Sequence, residues 1–361
     1  MDPSKADKVP VLKDLTADNI TENVIRINSQ CDDARLKYIL ERLITHLHDF
    51  ARETRLSSQE WQAGIGFLTD TGKICSDVRQ VFLFSTLCSP IEFALQRQHE
   101  VDKPETSLIS LQEFVLLSDV LGLSILVDSI DHPKPPDSTE GTVLGPFHAD
   151  APEISHGDVI SFDPNGEPML VLCTLKDTSG RPIEGAKIDI WETDTTGHYD
   201  VQYSDRGVPD GRCVVHSDGD GIFWFKAIKP VPYPVPCDGP VGRLLEKIHR
   251  HPFRPSHVHF MFEKEGYDHL ITSLFIRDDP YETSDAVFGV KNTLVVDLAK
   301  VDSDQSAKYG INQGSWLMTY DFVLVSDAES SALRDRNSKD ALDRLGYKVK
   351  IVNGLPVPDL D

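Results

Sequence analysis

The chain has 361 residues, of which 40% are hydrophobic and 26% charged, and its formal net charge is -22. That length leaves room for one large domain or two ordinary ones, each with a real core. The acidic balance excludes a general nucleic-acid binder, because phosphates repel it. No apolar run is long enough to span a bilayer. The opening "MDPSKADKVPVLKDL" lacks the apolar core of a signal peptide, so a cytoplasmic protein is expected. Six cysteines, Cys31, Cys75, Cys88, Cys173, Cys213 and Cys237, show no CxxC pairing. Reduced thiols fit this pattern better than disulfides or a zinc cluster.

Up to about residue 130 the chain reads as helical. "DARLKYILERLITHLHDFARET" spaces Leu36, Leu40, Leu43, Leu47 and Phe50 by three and four, which makes one apolar stripe. His46 and His48 in this helix diverge by about 200° and read as surface residues. "SSQEW" offers Ser57 and Glu60 as a capping box, and "SLQEFVLLSDVLGLSILVDSI" repeats the signal with Ser110 and Glu113 before a long apolar helix. "DHPKPPDSTEGT", from Asp131, is a polar, Pro-rich linker.

Beyond the linker the period changes. "MLVLCTLKD", "AKIDIWETD", "GIFWFKAIKP", "HVHFMFEKEG", "LITSLFIRDD" and "WLMTYDFVLV" are short runs rich in β-branched and aromatic residues, separated by turns such as "DTSGRPIEG". Many short strands without alternating helices predict an antiparallel β-sandwich or barrel. "ESSALRDRNSKDALDRLG" predicts a C-terminal surface helix, and "YKVKIVNGLPVPDLD" an extended tail.

"RPSHVHF" places His257 and His259 two apart on a predicted strand, so both imidazoles share a face. Such a pair suits a metal, although spacing alone leaves a solvent-facing pair open. His249 and His251 in "HRHPF" lie in a polar turn and read as exposed. Tyr199 follows a Gly turn in "WETDTTGHYD", and Tyr233 sits among prolines in "IKPVPYPVPCDGP". Each has an ordinary packing role open to it. As phenolates they would be hard anionic ligands that favour Fe(III) over Zn(II). No HExxH helix points to a zinc protease.

The stretches "STEGTVLGPFHADAP", "GRPIEGAKIDIWETDTTGHYD", "YPVPCDGPVGRLL" and "HPFRPSHVHFMFEKEGYDHLIT" together resemble the intradiol ring-cleaving dioxygenases. The resemblance implies a mixed-topology β-sandwich catalytic core over 131–327, a helical dimerisation region over 1–130, and a C-terminal helix and tail over 328–361. It implies that Tyr199, Tyr233, His257 and His259 ligate a non-haem Fe(III). Tyr233 is implied to take a substrate proton, and Arg254 to stabilise negative charge developing on the ring; a plain structural ion pair is the other reading of Arg254. Leu116, Asp119, Val143, Leu144, Gly145, Pro234, Val235, Arg254 and Val287 are implied to line the ring pocket. The implied partners are a small aromatic diol or triol, O₂, a second copy through the N-terminal helices, and a phospholipid at that interface.

An aspartate at position 119 resembles the members that cleave hydroxyquinol (benzene-1,2,4-triol), because a carboxylate can accept a hydrogen bond from a third ring hydroxyl. Catechol remains the alternative substrate. Ser273 stands where catechol-type members often carry a glutamine and other members a different polar residue, which puts the support of the site in doubt. Two rival readings stay open: a non-catalytic transthyretin-like binding module, and the same four ligands around copper or zinc.

Overall fold

The computed structural model describes residues 10–70, 105–203, 207–346, 348–352 and 355–359. Cys75 and Cys88 lie outside them; Cys31, Cys173, Cys213 and Cys237 are free thiols. Among the described residues no helix is long and apolar enough to cross a membrane.

The helical part contains α1 (Ile20–Ile27), α2 (Ala34–Thr54), α3 (58–70), α4 (Glu105–Val120) and α5 (Leu123–Asp131). The Ser57–Glu60 capping box forms: Ser57 Oγ donates to Glu60 Oε2 at 2.9 Å and accepts from the Glu60 amide at 3.3 Å. No helix begins at Ser110, because α4 already runs through it. A serine inside a helix has no free amide to cap. Glu113 instead accepts from the Val241 amide at 3.2 Å, at the start of α6 (Pro240–Lys247). The expected single apolar helix breaks in two at Gly122, whose φ of +73° suits glycine.

The face that α2 buries also differs from the predicted stripe. Leu40, Ile44, His48 and Ala51 are buried, whereas Leu43 and Phe50 are exposed. His48 is a core residue, not a surface one. Its Nε2 lies 2.9 Å from the Leu121 carbonyl and its Nδ1 3.0 Å from Thr21 Oγ1, and these partners satisfy a buried imidazole. His251 is likewise buried, with Nε2 2.9 Å from Ser284 Oγ. His249 is exposed, beside Asp32.

The β core follows. Its strands are β1 (Pro168–Asp177), β2 (Lys187–Trp191), β3 (Arg212–His216), β4 (Ile222–Ile228), β5 (Tyr233–Pro234) and β6 (Phe253–Arg254). Then come β7 (His257–Glu263), β8 (Leu270–Ile276), β9 (Val295–Val296), β10 (Ala299–Lys300) and β11 (Trp316–Leu324). One sheet has the order β10-β11-β1-β4 and the other β3-β2-β7-β8-β9. A shared core between them gathers Met169, Val171, Phe223, Phe225, Val258, Phe260, Phe262 and Phe322.

The sandwich is mixed rather than antiparallel: β1 pairs β11 in parallel, as β8 pairs β9. Distant strands need no hairpin, so strand spacing in the sequence does not set their direction. The predicted C-terminal helix is α8 (Asp327–Arg344), which follows the short α7 (Ser303–Tyr309). The predicted extended tail is an antiparallel hairpin of β12 (Lys348–Val352) and β13 (Leu355–Asp359). A second core joins the helices to Val143, Val235, Val287 and Phe288 from loops of the β core. The candidate site lies at that junction.

Candidate functional site

Strand alternation sets the site. On β7, Val258, Phe260 and Phe262 enter the core between the sheets, so His257, His259 and Met261 face the other way. Both histidines are buried, and their Nε2 atoms lie 3.0 Å apart. His257 Nδ1 is 2.6 Å from the Pro255 carbonyl, an acceptor only, so Nδ1 donates and Nε2 keeps its lone pair. Arg254 Nη1 lies 3.3 Å from that Nε2. His259 Nδ1 is 2.9 Å from Ser273 Oγ, directly across the β7–β8 ladder. Ser273 thus supports the site where the sequence left its role open. Trp191, opposite His259 on β2, stacks on its ring at 4.6 Å and 6°. Burial, then the Arg254 charge, holds the His257 pKa well below the ordinary value. For His259 the causes are burial, His257 and Arg254. Both imidazoles are therefore neutral, the form that ligates metals.

Tyr199 and Tyr233 complete the cluster. Their ring centroids are 5.3 Å apart at 89°, and Phe147 stacks on Tyr199 at 4.8 Å. Tyr233 is 5.6 Å from His257 and Tyr199 6.2 Å from His259, centroid to centroid. The loop carrying Tyr199 is pinned by its neighbour. Arg212 Nε donates to Asp200 Oδ2 at 2.8 Å, and the same guanidinium donates to the Phe147 carbonyl at 3.2 Å. Tyr233 is placed by the β5–β6 ladder, which sets it opposite Arg254.

The Tyr199 hydroxyl is buried without a hydrogen-bond partner among the described residues. Burial, and then the Tyr233 phenol, pushes its pKa well above the ordinary value. An orphaned phenol beside two converging, neutral imidazole nitrogens is costly as it stands and fits a bound cation. No group of three or more His, Cys, Asp or Glu could hold a metal among the described residues. Two phenols and two imidazoles are thus the donor set the fold brings together.

Arg254 is buried, and here the sequence missed a partner. Asp285, fully buried, accepts from Arg254 Nε at 3.2 Å and Nη2 at 3.3 Å. Burial opposes the guanidinium charge, and Asp285, with the Tyr233 and Tyr199 phenols, more than offsets it, so the Arg254 pKa is raised. Asp285 is itself fixed by the amides of Val287 (3.2 Å) and Gly289 (2.9 Å). A Cβ at Gly289 would come 2.7 Å from Arg254 Nη2 and 2.9 Å from Thr142 Oγ1, so only glycine fits there. The "SDAVFGV" loop therefore carries both Arg254's counter-charge and, at Val287, a piece of cavity wall. An acid two residues from a pocket residue was the available signal.

Tyr233 and Arg254 open onto a cavity of about 640 Å³. Leu116, Asp119, Val143, Gly145, Val235 and Val287 line it, together with Phe147, His148 and Gln202, which the sequence did not single out. Two expected pocket residues lie elsewhere. Pro234 follows Tyr233 on β5 and is exposed, since neighbouring residues on a strand face opposite ways. Leu144 turns into a neighbouring cavity. Asp119 is buried, and burial raises its pKa to about 6 against the lowering pull of Ser124 and Arg254.

The family model described as "Dioxygenase" matches residues 143–326, and that described as "Catechol dioxygenase N terminus" matches residues 33–87. The chain is 65% identical over 362 residues to an intradiol ring-cleavage dioxygenase of Aspergillus niger, covering 100% of both. It is 42% identical to a hydroxyquinol 1,2-dioxygenase of Rhizobium sp., over 84% of this chain and 94% of that one. Among solved structures, hydroxyquinol 1,2-dioxygenase from Pseudomonas putida DLL-E4 superposes with a TM-score of 0.58 at 36% identity, covering 86% of this chain and 99% of that one. With these matches spanning the strands and loops that build the site, the chain belongs to the intradiol ring-cleaving dioxygenases.

Proposed function

We propose that this enzyme cleaves hydroxyquinol between its adjacent hydroxylated carbons and places both atoms of O₂ in the product, 3-hydroxy-cis,cis-muconate or its tautomer maleylacetate. The observation that carries the reading is a buried carboxylate, Asp119, on the wall of the cavity onto which Tyr233 and Arg254 open. In a largely apolar pocket that acceptor rewards a third ring hydroxyl. The names of the Rhizobium and Pseudomonas relatives agree with this substrate. Catechol, giving cis,cis-muconate, is the second reading, favoured by the walls that Leu116, Val143 and Val287 present to an unsubstituted ring.

Tyr199, Tyr233, His257 and His259 would hold a non-haem Fe(III), whose hardness suits two phenolates. When bound, the iron lowers the pKa of a bound diol and supplies the electron-accepting centre for reaction with O₂. The rest falls to the chain. Tyr233 accepts a substrate hydroxyl proton at its phenolic oxygen. Arg254, kept charged and in place by Asp285, stabilises negative charge developing on the ring. Pro255 and Ser273 hold the two imidazoles in position. Leu116, Val143 and Val235 exclude water from the ring.

We assign the helical residues 1–130 to a dimer contact that could hold a phospholipid, 131–327 to catalysis, and 328–361 to a C-terminal appendage, in a cytoplasmic protein. The exposed apolar side chains Tyr38, Ile39, Leu43 and Phe50 of α2 support the dimer. The decisive experiment is O₂ uptake by the iron-loaded enzyme on hydroxyquinol, catechol, substituted catechols and protocatechuate. Hydroxyquinol should give the highest kcat/KM. A colourless, zinc-loaded protein without O₂ uptake would reject the reading, because tyrosinate on Fe(III) absorbs in the visible.

A further inference from the structure

A second cavity, of about 550 Å³, lies between α3, α5 and the loop 142–146. It shares Val115, Asp119, Val143, Gly145 and Pro146 with the reaction cavity. Neither Arg254 nor any of the four candidate ligands lines it, so an occupant would be one wall away from the chemistry. We propose that this cavity is an accessory site for a neutral hydroxylated aromatic ring, a waiting position for the substrate beside the reaction cavity. The class of ring rests on the ring-cleavage reading; the existence of the site does not.

Three observations carry the proposal. Ile65, Val127 and Ile271 make apolar walls, and Trp61 adds a flat face whose orientation is fixed: its Nε1 donates to Ser118 Oγ at 3.0 Å. Aromatic occupants pack well on such a surface. Second, Asp128 lines the cavity with its carboxylate pressed against the backbone of Gly141, where a Cβ would meet Oδ2 at 2.8 Å. Among the described residues no donor hydrogen-bonds that carboxylate; Lys291, His132 and Lys134 act on it through charge alone. A half-buried acceptor in that state gains from a ring hydroxyl. Third, Asp119 and Asp128 both face this space. Ring opening creates a dicarboxylate, which these two carboxylates, one buried and one half-buried, repel. The site therefore takes the unreacted ring and refuses the product.

Equilibrium dialysis of the full, iron-loaded chain against resorcinol tests this, because a 1,3-diol lacks the adjacent hydroxyls needed for cleavage. The wild type should bind two resorcinols per chain, and cis,cis-muconate should displace no more than one. Gln62→Trp, at the exposed rim, should leave one site. Asp128→Leu should weaken one of the two sites about tenfold or more and leave the other unchanged. One resorcinol per wild-type chain overturns the proposal, as do two unaltered sites in both variants or a resident acyl chain that resorcinol does not displace. Iron content and melting temperature report whether the variants fold; if Gln62→Trp does not, the Asp128→Leu affinities decide. Failure of the ring-cleavage reading shows in O₂ uptake, which dialysis does not measure.

Discussion

At the scale of single residues, Asp119 and Asp285 do different work with the same functional group. Asp119 faces a cavity and has no cation of its own, since Arg254 is already matched by Asp285. Asp119→Ala should lower kcat/KM for hydroxyquinol roughly 10- to 100-fold while changing catechol less than about threefold. Equal losses in O₂-uptake kinetics would refute the selectivity argument. The pKa of about 6 adds a signature. Above it the carboxylate is ionised and accepts; below it the group is protonated. The ratio of kcat/KM for hydroxyquinol to that for catechol should fall as pH drops through about 6, and Asp119→Asn should flatten it. Taking the ratio cancels groups common to both substrates. Asp285→Ala, by contrast, strands a buried guanidinium. It should cost about 3–5 kcal/mol of stability in urea unfolding, and less than that where Arg254 is already replaced by Met. Full additivity of the two changes would show that the pair is not coupled.

Elements show where the sequence was legible and where it was not. The period of two in "HVHFMF" is realised as written, because both faces of β7 are buried and a one-residue slip would put imidazoles in the core. The four ring residues could be picked out from their local setting and family resemblance. For Asp285 the one hint was its place two residues before a pocket position, and nothing local says that this acid will meet an arginine 31 residues away. The parallel β1–β11 pairing was equally invisible, being a long-range contact. His48 misled for a related reason: the helix wheel separates it from His46 without saying which of them is inside.

Its burial has a measurable consequence at the level of helix docking. Burial lowers the pKa values of His48 and His251 to about 4. Between pH 6.5 and about 4 the unfolded chain takes up protons that the folded sites refuse, so stability falls as pH falls across that window. The loss is on the order of 3 kcal/mol for each group once pH is below both values. Asp119 acts with the opposite sign, binding a proton more readily when folded. The melting temperature should therefore drop from about pH 6.5 to 5.5, and His48→Gln should make that drop shallower. An unchanged slope would mean that His48 is solvated in solution.

For the whole molecule the open question is how so acidic a chain associates. Two copies at -22 each repel one another at long range, so a dimer needs a short-range contact that overcomes this, and an apolar one is expected. Among the described residues, the face of α2 left for that bears Ile39, Leu43 and Phe50, which share a helix side at spacings of four and seven. The adjacent side, about 115° round the helix and carrying Leu40, Ile44, His48 and Ala51, is spent on the helical core. Ile39→Glu combined with Leu43→Glu should convert a two-chain particle to a single chain in light scattering, with iron content and melting temperature nearly unchanged. Salt adds a second, independent sign. Screening weakens the charge repulsion and leaves apolar burial intact, so the dimer should tighten between low ionic strength and about 0.15 M. A dimer that loosens with salt would instead be held by ion pairs, and a wild-type chain that stays single at both would remove the exposed stripe from the account of assembly.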